Sequence, residues 1–298
     1  MSSATDTVTP PPSRLRAAGH PAQRRRRRRR NPTAVVLLLA LAVLMLSPFI
    51  WTALSVTKPT DVAFANPPVL GGYTPTFQAF KDLWETTYFA QYLVNTAVVA
   101  IISTVIALVL GVPAAYALSR FPGYVSAILL LLALVFRSLP RFSVVLPMYE
   151  ISKSLGIYDT NFALAAALVA INQPFSIWLL RNFFAEIPKE LDEAAMIDGC
   201  TRFGTLRRIM IPLMRPGILT AGVFVFLFAF QEYLTALVLT DTASKTVPVF
   251  ITTQLGQTLP MLQQAGAAEM LLTLPVIAIS FIAQKYLVAG LSDGSVKG

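Results

Sequence analysis

From Asn31 to Thr57, and again from Thr86 to Ser119, the chain carries no charged residue. Each stretch exceeds the ~20 residues that carry an α-helix across ~30 Å of hydrocarbon. Only helices span here, because every backbone group in lipid must be satisfied within its own segment. Apolar spacing predicts six spanning helices, at about residues 32–54, 91–119, 124–147, 160–182, 214–240 and 266–288. A chain that is 55% hydrophobic and 13% charged fits a polytopic membrane protein better than a soluble domain. The expected fold class is all-α. Residues 55–90 read as a polar loop broken by Pro59, Pro67, Pro68 and Pro75.

The net charge of +9 belongs mostly to one end. Residues 1–31 hold nine Arg and one Asp, and the rest holds 15 basic and 14 acidic groups. Residues 1–23 are rich in Ser, Thr, Pro and Ala and are expected to be disordered. The unbroken run Arg24–Arg30 reads as an anchor that holds this end in the cytosol and touches anionic lipid. A nucleic-acid-binding arm is the alternative. With both termini cytosolic, 18 of the 24 basic residues lie inside, as the positive-inside rule requires. Cys200 is the only cysteine and His20 the only histidine. A disulfide framework, a cysteine zinc site and a metal-ligand cluster are therefore not expected. The chain has no G-x-x-x-x-G-K-[ST] loop, so it is not expected to bind ATP through a P-loop.

Between the fourth and fifth spans lies the longest charge-dense segment, Glu186 to Pro216. Its pattern gives two short helices and a turn. Pro188 suits a first helical turn, and Leu191, Ala194, Ala195 and Met196 share a face. Gly199 stands where a C-terminal cap needs positive φ, Thr201 caps the second helix, and Pro212 closes it. Either this is an amphipathic helix lying on the membrane or it is a docking helix for a partner.

The order Glu193-Ala194-Ala195, three residues, Gly199, nine residues, Ile209-Met210-Ile211-Pro212 resembles the EAA loop of ABC-importer permeases, with Ile211 where the family has Leu. Ser55-Val-Thr-Lys-Pro59, the segment Gly111 to Arg120, Gln173 to Arg181 and Phe226 to Leu234 also resemble that family. In the last, Phe230 and Gln231 replace the usual Trp-Asn pair before the acid. The C-terminal stretch from Gln284 is similar to that of the maltose-type carbohydrate branch.

This resemblance implies a type-I transmembrane domain over residues 32–298. It also implies a coupling helix in which Glu193, Ala194, Ala195, Asp198, Gly199, Ile209 and Pro212 meet a cytoplasmic ATPase. It implies a second homologous permease, two P-loop ATPase subunits that bind ATP and Mg, and an extracytoplasmic solute-binding protein. It implies no catalytic residue and no cofactor in this chain. Membrane lipid is a further partner and nucleic acid is not. The implied solute is a sugar, oligosaccharide or polyol moved across the bacterial inner membrane. A secondary carrier or channel is the alternative, and it leaves the Glu186–Pro216 loop unexplained. An intramembrane enzyme would need membrane histidines or paired carboxylates that the spans lack.

Arg137, Arg141 and Glu232 fall deep in the third and fifth spans, at roughly 20, 25 and 27 Å from the cytosolic edge. Ionised groups there must be paired or wetted. Pro140 and Pro147 are expected to break the third span there. One reading of the charges is a structural Arg141–Glu232 pair. Another is a solute path lined by Arg137 or Arg141 with Gln231, Glu232 and Tyr233. A third places the arginines at the outer surface.

The topology makes a direct prediction. Cysteines introduced at Thr5 and Ala65 should label from opposite sides of intact vesicles with an impermeant maleimide; equal labelling from outside overturns cytosolic termini.

Overall fold

The computed structural model describes residues 32–292, with side chains to 284. The basic tail, the Arg24–Arg30 run, His20 and Lys297 lie outside the described residues. Every described element is helical. The helix α1 (Pro32–Val56) starts on a proline, which suits a first helical turn. Its residues through Ser47 form a unit by themselves, with Leu37, Leu38 and Val43 bare. Residues 48 onward form the second unit.

In that unit, α2 (Thr60–Ala63) and α3 (Gln78–Thr86) occupy what the sequence suggests is a loop. The amphipathic α3 buries Ala79 and Leu83, one turn apart. Next come α4 (Phe89–Arg120), α5 (Tyr124–Ser138), α6 (Arg141–Ser154) and α7 (Asn161–Glu186). Two short helices follow, α8 (Glu190–Ile197) and α9 (Arg202–Thr205). A π-helical turn at Leu206–Met210 joins α9 to α10 (Ile211–Leu213). The chain then forms α11 (Arg215–Phe230), α12 (Leu234–Leu239), α13 (Val247–Gln254) and α14 (Leu259–Ser292).

The spine is α4 against α7. The buried stripe of α4 is small: Thr96, Ala100, Ser103, Ala107, Gly111 and Ala115 recur at helical spacing. Small side chains let two backbones approach, which is how helices associate where lipid removes the hydrophobic drive. At Gly111 an added Cβ would sit 3.0 Å from Ser176 Oγ and 3.1 Å from Gln173 Nε2 of α7. The helix α11 seats on the same pair, and Gly217 faces Phe183 so closely that a Cβ would lie 2.8 Å from its ring. Leu164, Leu168, Phe230 and Leu239 fill one core cluster, and Leu180, Phe184, Leu206 and Met210 fill another.

Four helices are long and apolar enough to cross a membrane, and six spans result if each of two bent pairs is one. Two of the six expected spans are broken, the third where its prolines suggest and the fifth where the sequence suggests a continuous helix. The 124–147 span turns by 92° between α5 and α6. Pro140 lacks an N–H and drives Leu139 into extended backbone, at ψ 145°. Pro147 stays inside α6 and does not break it. The 214–240 span ends at Phe230 and restarts as α12, because the Glu232 carboxylate accepts the N–H of Thr235 at 3.1 Å and its hydroxyl at 2.9 Å. Pro212 does not close the preceding helix either; the 80° bend falls at Met214.

One loop contact ties the ends of α6 and α12 together. Asp159, at φ 56°, accepts backbone N–H bonds from Asp241, Thr242, Ala243 and Ser244, and the Ser244 hydroxyl. Burial alone would raise its pKa, but these donors bring it down to about 2. A depressed carboxylate contributes stability above its unfolded pKa, near ~4, and loses it as pH falls toward the folded value. Asp159→Ala should therefore lower thermal stability by on the order of 1 kcal/mol at neutral pH, discounted for exposure. The gap to wild type should close between about pH 4 and 2. A gap that persists unchanged at pH 2 refutes the clamp.

Candidate functional site

The segment after α7 is a helical hairpin held to the spine by one cation. Arg120, at the end of α4, donates from Nη1 to the carbonyls of Phe184 and Ile187, both at 3.1 Å, and so caps the C-terminal turn of α7. Its Nε lies 2.6 Å from Asp192 Oδ2 of α8, and both side chains are buried. Its Nη2 reaches Met210 Sδ at 3.8 Å. The Tyr116 hydroxyl donates to the other Asp192 oxygen. One guanidinium thus joins α4, α7, α8 and the π turn.

The turn between α8 and α9 is built as the sequence predicts. Gly199 has φ +84°. Its N–H donates to Met196 O at 3.1 Å, and Cys200 N–H donates to Ala195 O at 2.9 Å, the two bonds of a Schellman cap. Thr201 Oγ1 accepts the Gly204 N–H at 3.1 Å and starts α9.

The expected shared face of α8 divides. Ala195 and Asp192 point inward, whereas Leu191, Ala194 and Met196 are exposed, because Asp192 turns its side of the helix to Arg120. Glu193, Asp198, Gly199 and Pro212 are also exposed. Ile209 packs into the Leu180–Phe184 cluster. Ile197 and Phe203 stand bare beside the exposed polar residues, at 86% and 70% exposure. The turn therefore exposes acids and large apolar side chains together. Sequence reasoning missed Asp192 and Tyr116; the one signal was Tyr116 and Arg120, a turn apart at the end of an uncharged span.

The polar residues of the third and fifth spans divide between two pockets. Arg141 Nη1 meets Glu232 Oε2 at 3.2 Å. The pair joins the N-terminus of α6 to the break before α12. Arg137 takes no part and lies over the rings of Phe175 and Phe228, at 5.0 and 5.4 Å. The two arginines line a pocket of about 130 Å³ with Ile171 and Pro174 of α7. Gln231 and Tyr233 face a different cavity, of about 540 Å³, together with Thr252, Glu269 and Thr273. The sequence reading also left out Glu269.

Residues 107–293 match the family described as binding-protein-dependent transport system inner membrane component. A probable ABC transporter permease of Sinorhizobium fredii is 40% identical over 86% of this chain and 92% of its own length. The permease of the trehalose transport system of Mycobacterium tuberculosis is 36% identical over 85% of this chain and 93% of its own. A crystal structure of a bacterial ABC transporter involved in the import of the acidic polysaccharide alginate superposes with a TM-score of 0.71. It has 25% identity and covers 86% of this chain and 95% of that one.

The Arg120 clamp predicts a large penalty. Asp192→Asn leaves a buried cation without its counter-charge and should lose about 3–5 kcal/mol, while Arg120→Met with Asp192→Leu should recover most of it. Thermal unfolding of the detergent-solubilised protein measures this. A loss below ~1 kcal/mol for the single variant would make the bridge a surface one and refute the clamp.

Proposed function

The chain belongs to the binding-protein-dependent transport system inner membrane component family, and from that membership we propose the part it plays in an ATP-driven importer. Residues 32–298 form a type-I transmembrane domain of six spans, with both termini in the cytosol. The solute is a sugar, oligosaccharide or polyol. The trehalose permease relative supports that choice. A second, homologous permease completes the path, a solute-binding protein delivers from outside, and two P-loop ATPase subunits hold ATP and Mg. The chain itself is a transport component and catalyses no reaction.

The observation that carries the reading is the clamped hairpin. The helix α8 acts as the coupling helix. Its Glu193, Ala194, Asp198 and Gly199, with Pro212 beyond, face the ATPase, while Ala195 and Ile209 set its seat from within. When ATP closes the ATPase pair, α8 moves, and Arg120 passes that motion to the ends of α4 and α7 together. Rigid helices carry it to the breaks at Leu139-Pro140 and Gln231–Tyr233, where the spans rock between inward and outward states.

Gly199→Val tests this. A Cβ at Gly199 meets nothing within 4 Å, so the only penalty is the left-handed backbone, on the order of 1–2 kcal/mol. The variant complex should assemble in proteoliposomes with its partners yet lose most sugar-dependent ATP hydrolysis and uptake. Wild-type uptake by Gly199→Val would sink the coupling role.

A further inference from the structure

The large cavity beside the second break has a carboxylate on its wall. Glu269 stands ten residues into α14, roughly 15 Å from its start. Among the described residues no Lys or Arg nitrogen lies within 4 Å of its carboxylate. Within a spanning helix a carboxylate faces water or a polar partner rather than lipid. Its place in the fold is fixed by Gly266, one turn earlier, where an added Cβ would lie 2.7 Å from Val56 Cγ1 at the end of α1. That close approach brings Phe49 of α1 to the same cavity wall. The opposite wall is the broken stretch, which presents Gln231 and Tyr233, and α13 contributes Thr252. Glu232, between them in sequence, turns away to Arg141 and Thr235. Neighbouring residues at the break therefore do different work: Glu232 holds the fold, and Gln231 and Tyr233 are left free.

We propose that Glu269, Gln231 and Tyr233, with Phe49, form this chain's contact with the solute in transit, and that the solute is a neutral polyhydroxylated molecule. The inference rests on the importer reading above. A carboxylate accepts two hydroxyl donors, Gln231 offers both a donor and an acceptor, and the two aromatic rings cover the C–H faces of a sugar. A fixed negative charge at the same point repels an acidic sugar. The arginine pocket near α5 takes no solute in this assignment.

The test uses the assembled transporter in lipid, with Cys200→Ser as background. Glu269→Cys should react with an impermeant methanethiosulfonate at least tenfold faster than Leu274→Cys, which lies about 140° round the same helix. Equal, slow rates overturn the wet cavity. In uptake of radiolabelled trehalose or maltose, Glu269→Gln and Tyr233→Ala should each fall at least tenfold. ATP hydrolysis stimulated by the loaded binding protein should stay within twofold of wild type. Unchanged uptake in both variants overturns the assignment. So does a parallel loss of ATP hydrolysis and assembly in both, which would make the residues structural. A wild-type complex that shows no ATP-driven uptake of either sugar counts instead against the proposed function, and the labelling result still decides the cavity.

Discussion

Two helices in lipid approach only as closely as the side chains between them allow, and that limit sets the geometry of this protein. The α4–α7 contact uses Ala, Ser, Thr and Gly along α4, and at Gly111 the side chains of Ser176 and Gln173 sit so close that an added methyl group would have to displace them. The other spans are placed relative to that contact. Gly217 brings α11 onto Phe183 of α7, and Gly266 brings α14 onto Val56 of α1. Each glycine substitutes closeness for side-chain bulk, so packing supplies the attraction that the hydrophobic effect supplies in water.

The hairpin after α7 is tied to that spine at one point. Arg120 makes the tie by satisfying two carbonyls of the last turn of α7 while matching the charge of Asp192. A lysine has one small charged head and cannot reach four elements at once; the guanidinium fork can. Burial makes the junction stiff, because separating Asp192 from Arg120 would strand both charges. The exposed part of α8 mixes acids with apolar side chains, and the buried part, Asp192 and Ala195, is fixed against the spine.

Much of this was legible in the sequence. Uncharged length gave the spans at 91–119 and 160–182 to within a few residues at most ends, since nothing else satisfies a backbone in lipid. Gly199 and Thr201 fixed the α8–α9 turn, because positive φ and an N-cap are local demands on single residues. What the sequence hid was tertiary. Helix α13 reads as loop because its buried residues, Val247 to Phe250, form one short run without helical period. The Arg141–Glu232 pair was foreseen as one of three options from depth alone. Its separation from Gln231 and Tyr233 depends on which way a broken backbone turns, and no spacing rule gives that.

The two breaks show why charge and irregular backbone occur together in this fold. Ending a helix inside a membrane frees N–H and C=O groups that lipid cannot satisfy. At Gln231–Tyr233 the Glu232 carboxylate meets that need by bonding Thr235, and Arg141 in turn neutralises the carboxylate. The arginine begins α6, itself the product of the other break, so each break supplies the group that stabilises its partner. Removing Arg141 would leave Glu232 charged with only Thr235 to hold it, and removing Glu232 would leave the first turn of α12 without an acceptor. The pair therefore fixes the angle between two interrupted spans without filling the space beside them. That space is where Gln231, Tyr233 and Glu269 converge, and it stays open because the charges that make the breaks possible are directed to its other side.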